Sequence, residues 1–144
     1  MSHSSQPVYD PNETVAFSEA MMQEINAVIK NFPDGKQKSA LIRILHIAQA
    51  EYGWVSVPVM NKIADILSIQ AIEVYEVATF YTMFHLQPVG KHVLEVCRTG
   101  PCMLVGSDQL INHIENRLNI KVGETTADGM FTLKTAECLG GCGY

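Results

Sequence analysis

The chain has 144 residues, 47% of them hydrophobic and 17% charged, which suffices for one substantial domain or two small ones and excludes wholesale disorder. Its formal net charge is −5 with no basic run, so nucleic acid and anionic membrane surfaces are poor partners. No apolar stretch approaches the roughly 20 residues of a membrane span, and Met1 to Asp10 is polar with no signal peptide, so a cytoplasmic location is expected.

Residues 1–14 contain Pro7 and Pro11 and read as a flexible arm. Phe17, Met21, Ile25, Val28, Ile29 and Phe32 then fall at helical spacing, and Pro33-Asp34-Gly35 stops that helix. Leu41, Ile44, Leu45, Ala48 and Tyr52 share one face of a second helix, for which Gly53 is the expected stop. Trp54 follows and reads as packing. Ser56 can cap a third helix with Pro58 in its first turn and Val59, Met60, Ile63, Ala64 and Leu67 on its apolar face. A fourth helix is expected from about Gln70 to Phe84, buried between neighbours, with Phe80, Tyr81 and Phe84 in the core. His46 and His85 read as packing or surface residues. Residues 15–87 thus form a predicted helical domain.

The period changes at Pro88-Val89-Gly90. His92 to Val96 reads as a strand that delivers Cys97 at its end. Leu104, Leu110, Ile111, Ile114 and Leu118 describe one helix, and Asp128-Gly129 is a hairpin signal. Phe131, Leu133 and Thr135 alternate with polar residues in a strand leading to Cys138.

Cys97, Cys102, Cys138 and Cys142 are the chain's four cysteines, spaced C-x4-C, 35 residues, C-x3-C. Both pairs follow strands, so neighbouring strands could present four thiolates on one sheet edge. Persistent disulfides are disfavoured in a reducing compartment. Structural zinc usually takes C-x2-C knuckles or closely spaced histidines, and His113 lies in the predicted helix. Four buried structural thiols are disfavoured because both pairs sit beside Gly and Pro. Unequal x4 and x3 loops suit a 2Fe-2S cluster better than one zinc ion, while the C-x2-C-x2-C run of four-iron clusters is absent. Gly140, Gly141 and Gly143 interleave with the second pair and let backbone N–H groups approach sulfur.

The chain resembles the small 2Fe-2S subunit of NADH:quinone oxidoreductase (respiratory complex I). The same module is similar to the thioredoxin-like ferredoxin subunit of NAD-linked hydrogenases and formate dehydrogenases. The matching stretches are Glu51-Tyr52-Gly53-Trp54, Val74 through Phe84, Val96-Cys97 through Pro101-Cys102, Gly123-Glu124-Thr125-Thr126, and Glu137 through Gly143. The resemblance implies an α+β fold: an N-terminal helical bundle at 15–87 followed by a thioredoxin-like 2Fe-2S domain at 88–144. It implies one 2Fe-2S cluster on Cys97, Cys102, Cys138 and Cys142. It also implies docking to a flavoprotein subunit that binds NADH and FMN, and a place peripheral to the inner membrane through the parent complex. The chain has no G-x-G-x-x-G dinucleotide signature, so it is expected to hold no complete active site of its own. The family continues with another strand and a helix after the second pair, whereas this sequence ends at Tyr144, so a C-terminally truncated domain is expected. Equivalent subunits of a hydrogenase or formate dehydrogenase, and a non-redox zinc adaptor, are the alternatives.

Overall fold

The computed structural model describes residues 15–142, so the expected arm at 1–14 lies outside the described residues. The chain forms two compact units that divide between Pro88 and Val89. Each unit has its own apolar core.

The first unit is helical. Its elements are α1 (Glu19–Ile29), a 3-10 turn (Gln37–Ala40), α2 (Leu41–Tyr52), α3 (Val57–Leu67) and α4 (Ala71–Phe80). Local sequence sets each boundary. Ser18 accepts a hydrogen bond from the Met21 N–H and Ser56 one from the Val59 N–H, which satisfies donors that the first turns of α1 and α3 would leave unpaired. Gly53 ends α2 at φ 78°, in the left-handed region where a side chain is strained. Glu73, in the first turn of α4, reaches back to the Gln70 N–H at 2.9 Å.

The core of this unit gathers Met21 and Ile25 of α1, Leu41, Ile44, Leu45 and Ala48 of α2, Met60, Ile63 and Ala64 of α3, and Val74 and Ala78 of α4. The helical spacing of these residues is why they reach one centre. Phe84 and Leu86 also enter it, and His46 packs on the Phe84 ring at 5.0 Å. Trp54 is half-buried. The fourth helix is shorter than expected. It stops at Phe80, and Tyr81 is extended with φ −91° and ψ 113°. The chain therefore turns before Phe84, and the three aromatics separate: Phe84 is buried, while Phe80 is 76% and Tyr81 38% exposed. The expectation that all three belong to the core fails for Phe80 and Tyr81.

The second unit pairs two parallel strands, β1 (His92–Cys97) and β2 (Phe131–Ala136), joined through α5 (Gly100–Leu104) and α6 (Ser107–Leu118). Parallel strands need such a long crossover because a tight turn would reverse the chain. Leu94 and Leu133 face each other across the pair. Leu133 and Val96 pack with Ile111 and Ile120, and Leu94, Ile114 and Leu118 complete the cluster.

The stretch expected as one helix over Leu104 to Leu118 is two helices. Gly106 breaks it at φ 109°, and Leu104 and Val105 are left 89% and 88% exposed. The hairpin signal at Asp128-Gly129 makes a turn with Gly129 at φ 69° and its N–H on the Thr126 carbonyl at 2.8 Å. That turn folds Gly123 to Thr126 back along β2, with Gly123 N–H on the Leu133 carbonyl at 2.7 Å and a single antiparallel bridge between Thr125 and Thr132. Thr132, a polar position in the strand alternation, is nevertheless buried. Its hydroxyl meets Thr125 Oγ1 at 2.7 Å and accepts from the Gly90 N–H at 2.6 Å.

Gly90 is required by space. A Cβ there would lie 2.9 Å from the backbone N and carbonyl C of Phe131. The close approach lets His92 N–H reach the Met130 carbonyl at 2.8 Å and sets the register of the two strands.

Candidate metal centre

The cysteines are carried out of the sheet by the ends of its two strands. Cys97 is the last residue of β1 and is paired with Ala136, the last residue of β2. Cys138 follows two residues later. Because the strands are parallel, both chains leave the sheet at the same edge, and the two cysteine loops start side by side. The Arg98 N–H donates to the Ala136 carbonyl at 2.9 Å and extends the pairing one step beyond β1.

The first loop is short and stiff. Thr99 is extended at φ −83° and ψ 161° and begins α5, with Pro101 in the first turn. This turn brings Cys102 back toward Cys97. Both thiols are half-buried, whereas Cys138 and Cys142 are exposed. All four are free thiols. The second loop turns at Gly140, with φ 67°.

Hydrogen bonding makes the first pair unequal. Thr99 Oγ1 lies 3.1 Å from Cys97 Sγ. That hydroxyl, then the Thr99 N–H and the Cys102 thiol, pull the Cys97 thiol down to about 7; the Leu139 N–H adds in the same direction and burial opposes. Cys102 is pushed up instead, first by its hydrogen bond to Cys97, then by burial and by the charges of Cys97 and Cys142. The second cysteine loop is felt electrostatically at the first: the Leu139 backbone helps to lower the Cys97 thiol, and the Cys142 charge helps to raise Cys102. Cys138 sits on the same loop as Cys142.

Among the described residues, no three His, Cys, Asp or Glu side chains gather around a single point that would hold one metal ion. Two thiols on one loop and two on the next form a divided donor set. Cys97, Cys102, Cys138 and Cys142 would suit a binuclear cluster as such a divided set, and the Thr99 hydroxyl beside Cys97 would serve as a donor to its thiolate. The residues present thus fit a 2Fe-2S cluster. His46, His85 and His113 stand outside this loop pair, with His46 and His85 in the helical unit and His113 exposed on α6.

Sequence reasoning singled out the glycines of the second loop as the source of N–H donors. It missed Thr99 and Leu139. The signal for Thr99 was a hydroxyl residue two positions after a candidate ligand, at the start of a Pro-led turn.

No helix among the described residues is long and apolar enough to cross a membrane. The family model of thioredoxin-like 2Fe-2S ferredoxins matches residues 25–144. The second E-type subunit of NADH-quinone oxidoreductase from Rhizobium meliloti (strain 1021) is 48% identical over 122 residues, covering 85% of this chain and 71% of that protein. The E-type subunit of the same enzyme from Rickettsia prowazekii (strain Madrid E) is 42% identical over 132 residues, 91% of this chain and 75% of its own. The mitochondrial NADH dehydrogenase (ubiquinone) flavoprotein 2 of Dictyostelium discoideum is 42% identical over 127 residues, 88% of this chain and 51% of its own.

Proposed function

The chain belongs to the thioredoxin-like 2Fe-2S ferredoxin family, as an electron-transfer subunit of the NADH:quinone oxidoreductase type, and on that premise we propose that Cys97, Cys102, Cys138 and Cys142 hold its one 2Fe-2S cluster. The observation that carries the ligand assignment is the parallel strand pair, which sends both cysteine loops out of one sheet edge. Each cysteine loop is anchored at its base by a strand end, and that stiffness limits how far the thiolates move between redox states.

The cluster, when bound, supplies one-electron chemistry. The protein's own part is to position and to tune. β1, β2 and α5 hold the loops; the Thr99 and Leu139 donors place partial positive charge at Cys97. A flavin reduced by hydride holds two electrons, and an acceptor that takes one at a time must follow it. We assign that role to this chain, with the flavin and the NADH site in a partner flavoprotein subunit and with membrane association through the parent complex. The fold assigned is an N-terminal helical bundle at 15–87 followed by the thioredoxin-like domain. The contact with the flavoprotein uses the helical domain as well as the cluster edge. Exposed Ile72, Phe80, Tyr81 and Met83, on α4 and just beyond it, support that reading.

The test is reduction by NADH. The cluster-loaded chain alone should stay oxidised in NADH. Addition of a catalytic amount of the flavoprotein subunit should bleach it by one electron per cluster. Direct reduction by NADH without the flavoprotein would refute the division of labour.

A further inference from the structure

Resting on the ligand assignment above, we infer that Thr99 is a positioning residue for the redox centre: its hydroxyl donates a hydrogen bond to the Cys97 sulfur and raises the potential at which the centre accepts an electron. The observation is geometric. Thr99 occupies the position before the first turn of α5, where a threonine hydroxyl ordinarily accepts from a backbone N–H of that turn. Here it makes no such bond. It stands instead 3.1 Å from Cys97 Sγ. The backbone conformation of Thr99 is the ordinary extended one for this position, so the side chain alone makes the difference.

The direction of the bond follows from chemistry. A cluster ligand is a thiolate and carries no proton, so only the hydroxyl can donate. A donor at the sulfur withdraws charge from it. The reduced centre carries one more negative charge than the oxidised centre, and the bond strengthens on reduction. Removing it therefore makes reduction harder. Arg98, next to Cys97 in the chain, is engaged with the exposed Asp108 at 3.4 Å. The Leu139 N–H acts in the same sense on the same sulfur, but it is backbone and survives any change at Thr99.

The experiment uses the full chain loaded with its cluster, with wild-type iron and sulfide content measured first. A wild-type chain that holds no 2Fe-2S cluster refutes the ligand assignment itself, separately from the role of Thr99. Given a loaded wild type, Thr99→Val should keep full iron and sulfide and shift the reduction equilibrium about tenfold toward the oxidised form, a fall of about 59 mV for one electron. Thr99→Ala should shift it in the same direction. Thr99→Ser, which restores the donor, should titrate like wild type. An unchanged midpoint in loaded Thr99→Val and Thr99→Ala would overturn the inference. So would failure of both to load while Thr99→Ser loads fully, because the hydroxyl would then be needed to build the loop and not to set the potential.

Discussion

Cys97 and Ala136 are register partners at the C-terminal ends of two parallel strands, and Cys138 follows Ala136 by two residues. This one pairing converts a separation of 35 residues between the cysteine pairs into adjacent loops. It also means that strand register and ligand geometry are the same variable: a slip of one residue along β2 would turn Ala136 to the opposite face and carry the Cys138 loop with it.

The ligand assignment predicts the outcome of four single substitutions. Serine at Cys97, Cys102, Cys138 or Cys142 should each lower cluster content sharply, because thiolate is the soft ligand iron–sulfur centres select. Iron, acid-labile sulfide and the EPR spectrum of the reduced protein read the result. A serine variant with full iron, full sulfide and an unchanged spectrum removes that residue from the ligand set.

The unequal first pair predicts a reactivity order in the cluster-free protein. Cys97 is held at about 7, below its ordinary 9.0, chiefly by the Thr99 hydroxyl, while Cys102 is raised above 9.0 by Cys97. The depressed group becomes thiolate first as pH rises, and thiolate is the nucleophile. Alkylation of Cys97 by iodoacetamide should therefore rise through about pH 7 and precede that of Cys102. Mass spectrometry of peptides from a pH series gives the order, and Cys102 reacting first would contradict it.

All-thiolate ligation predicts a low midpoint potential, on the order of −400 mV as in plant-type ferredoxins. The donors around Cys97 move it upward from that value. A spectroelectrochemical titration with a midpoint above zero would be incompatible with four thiolates.

Much of this arrangement is legible in the sequence. Apolar spacing placed the first three helices because their cores are built from residues three and four apart, and Ser56 and Gly53 mark boundaries by local chemistry alone. The cysteine loops are legible for the same reason, since Gly and Pro beside Cys specify irregular backbone whatever surrounds it. Three things were not legible. The break at Gly106 hides under apolar residues that continue at helical spacing on both sides of it. Burial of Thr132 depends on Thr125 and Gly90, one of them 42 residues away in the chain. The fate of Phe80 depends on where α4 stops, and the aromatic run Phe80 to Phe84 looks equally apolar in a helix or beyond one.

Gly90 should tolerate no side chain. Its neighbours at 2.9 Å are backbone atoms of Phe131, which cannot rotate aside, so Gly90→Ala must push the β1 entry away from β2. Overpacking of this kind costs about 1–3 kcal/mol. Urea unfolding should show that loss, and cluster content should fall with it because β2 carries the second cysteine loop. A Gly90→Ala protein as stable as wild type would mean the two backbones do not approach this closely.

Phe80 and Phe84 lie four residues apart and should behave oppositely. Phe84 is 4% exposed, sits in the core of the helical unit and touches the His46 ring, so Phe84→Ala removes a buried aromatic and should cost about 3–5 kcal/mol. Phe80 is 76% exposed and packs edge-on to Tyr81 with ring centroids 5.0 Å apart. Its truncation leaves no cavity, and the stability change should stay within about 0.5 kcal/mol. A large apolar ring held in solvent next to Tyr81 and Met83 gains by being covered, and the flavoprotein subunit is the surface proposed to cover it. Phe80→Ala should therefore leave the urea midpoint and cluster content unchanged while weakening flavoprotein binding at least tenfold, about 1.4 kcal/mol. Calorimetry of the loaded chain against the flavoprotein measures that term directly. Unchanged affinity in Phe80→Ala would take the helical domain's aromatic edge out of the contact and leave the cluster edge to carry it alone.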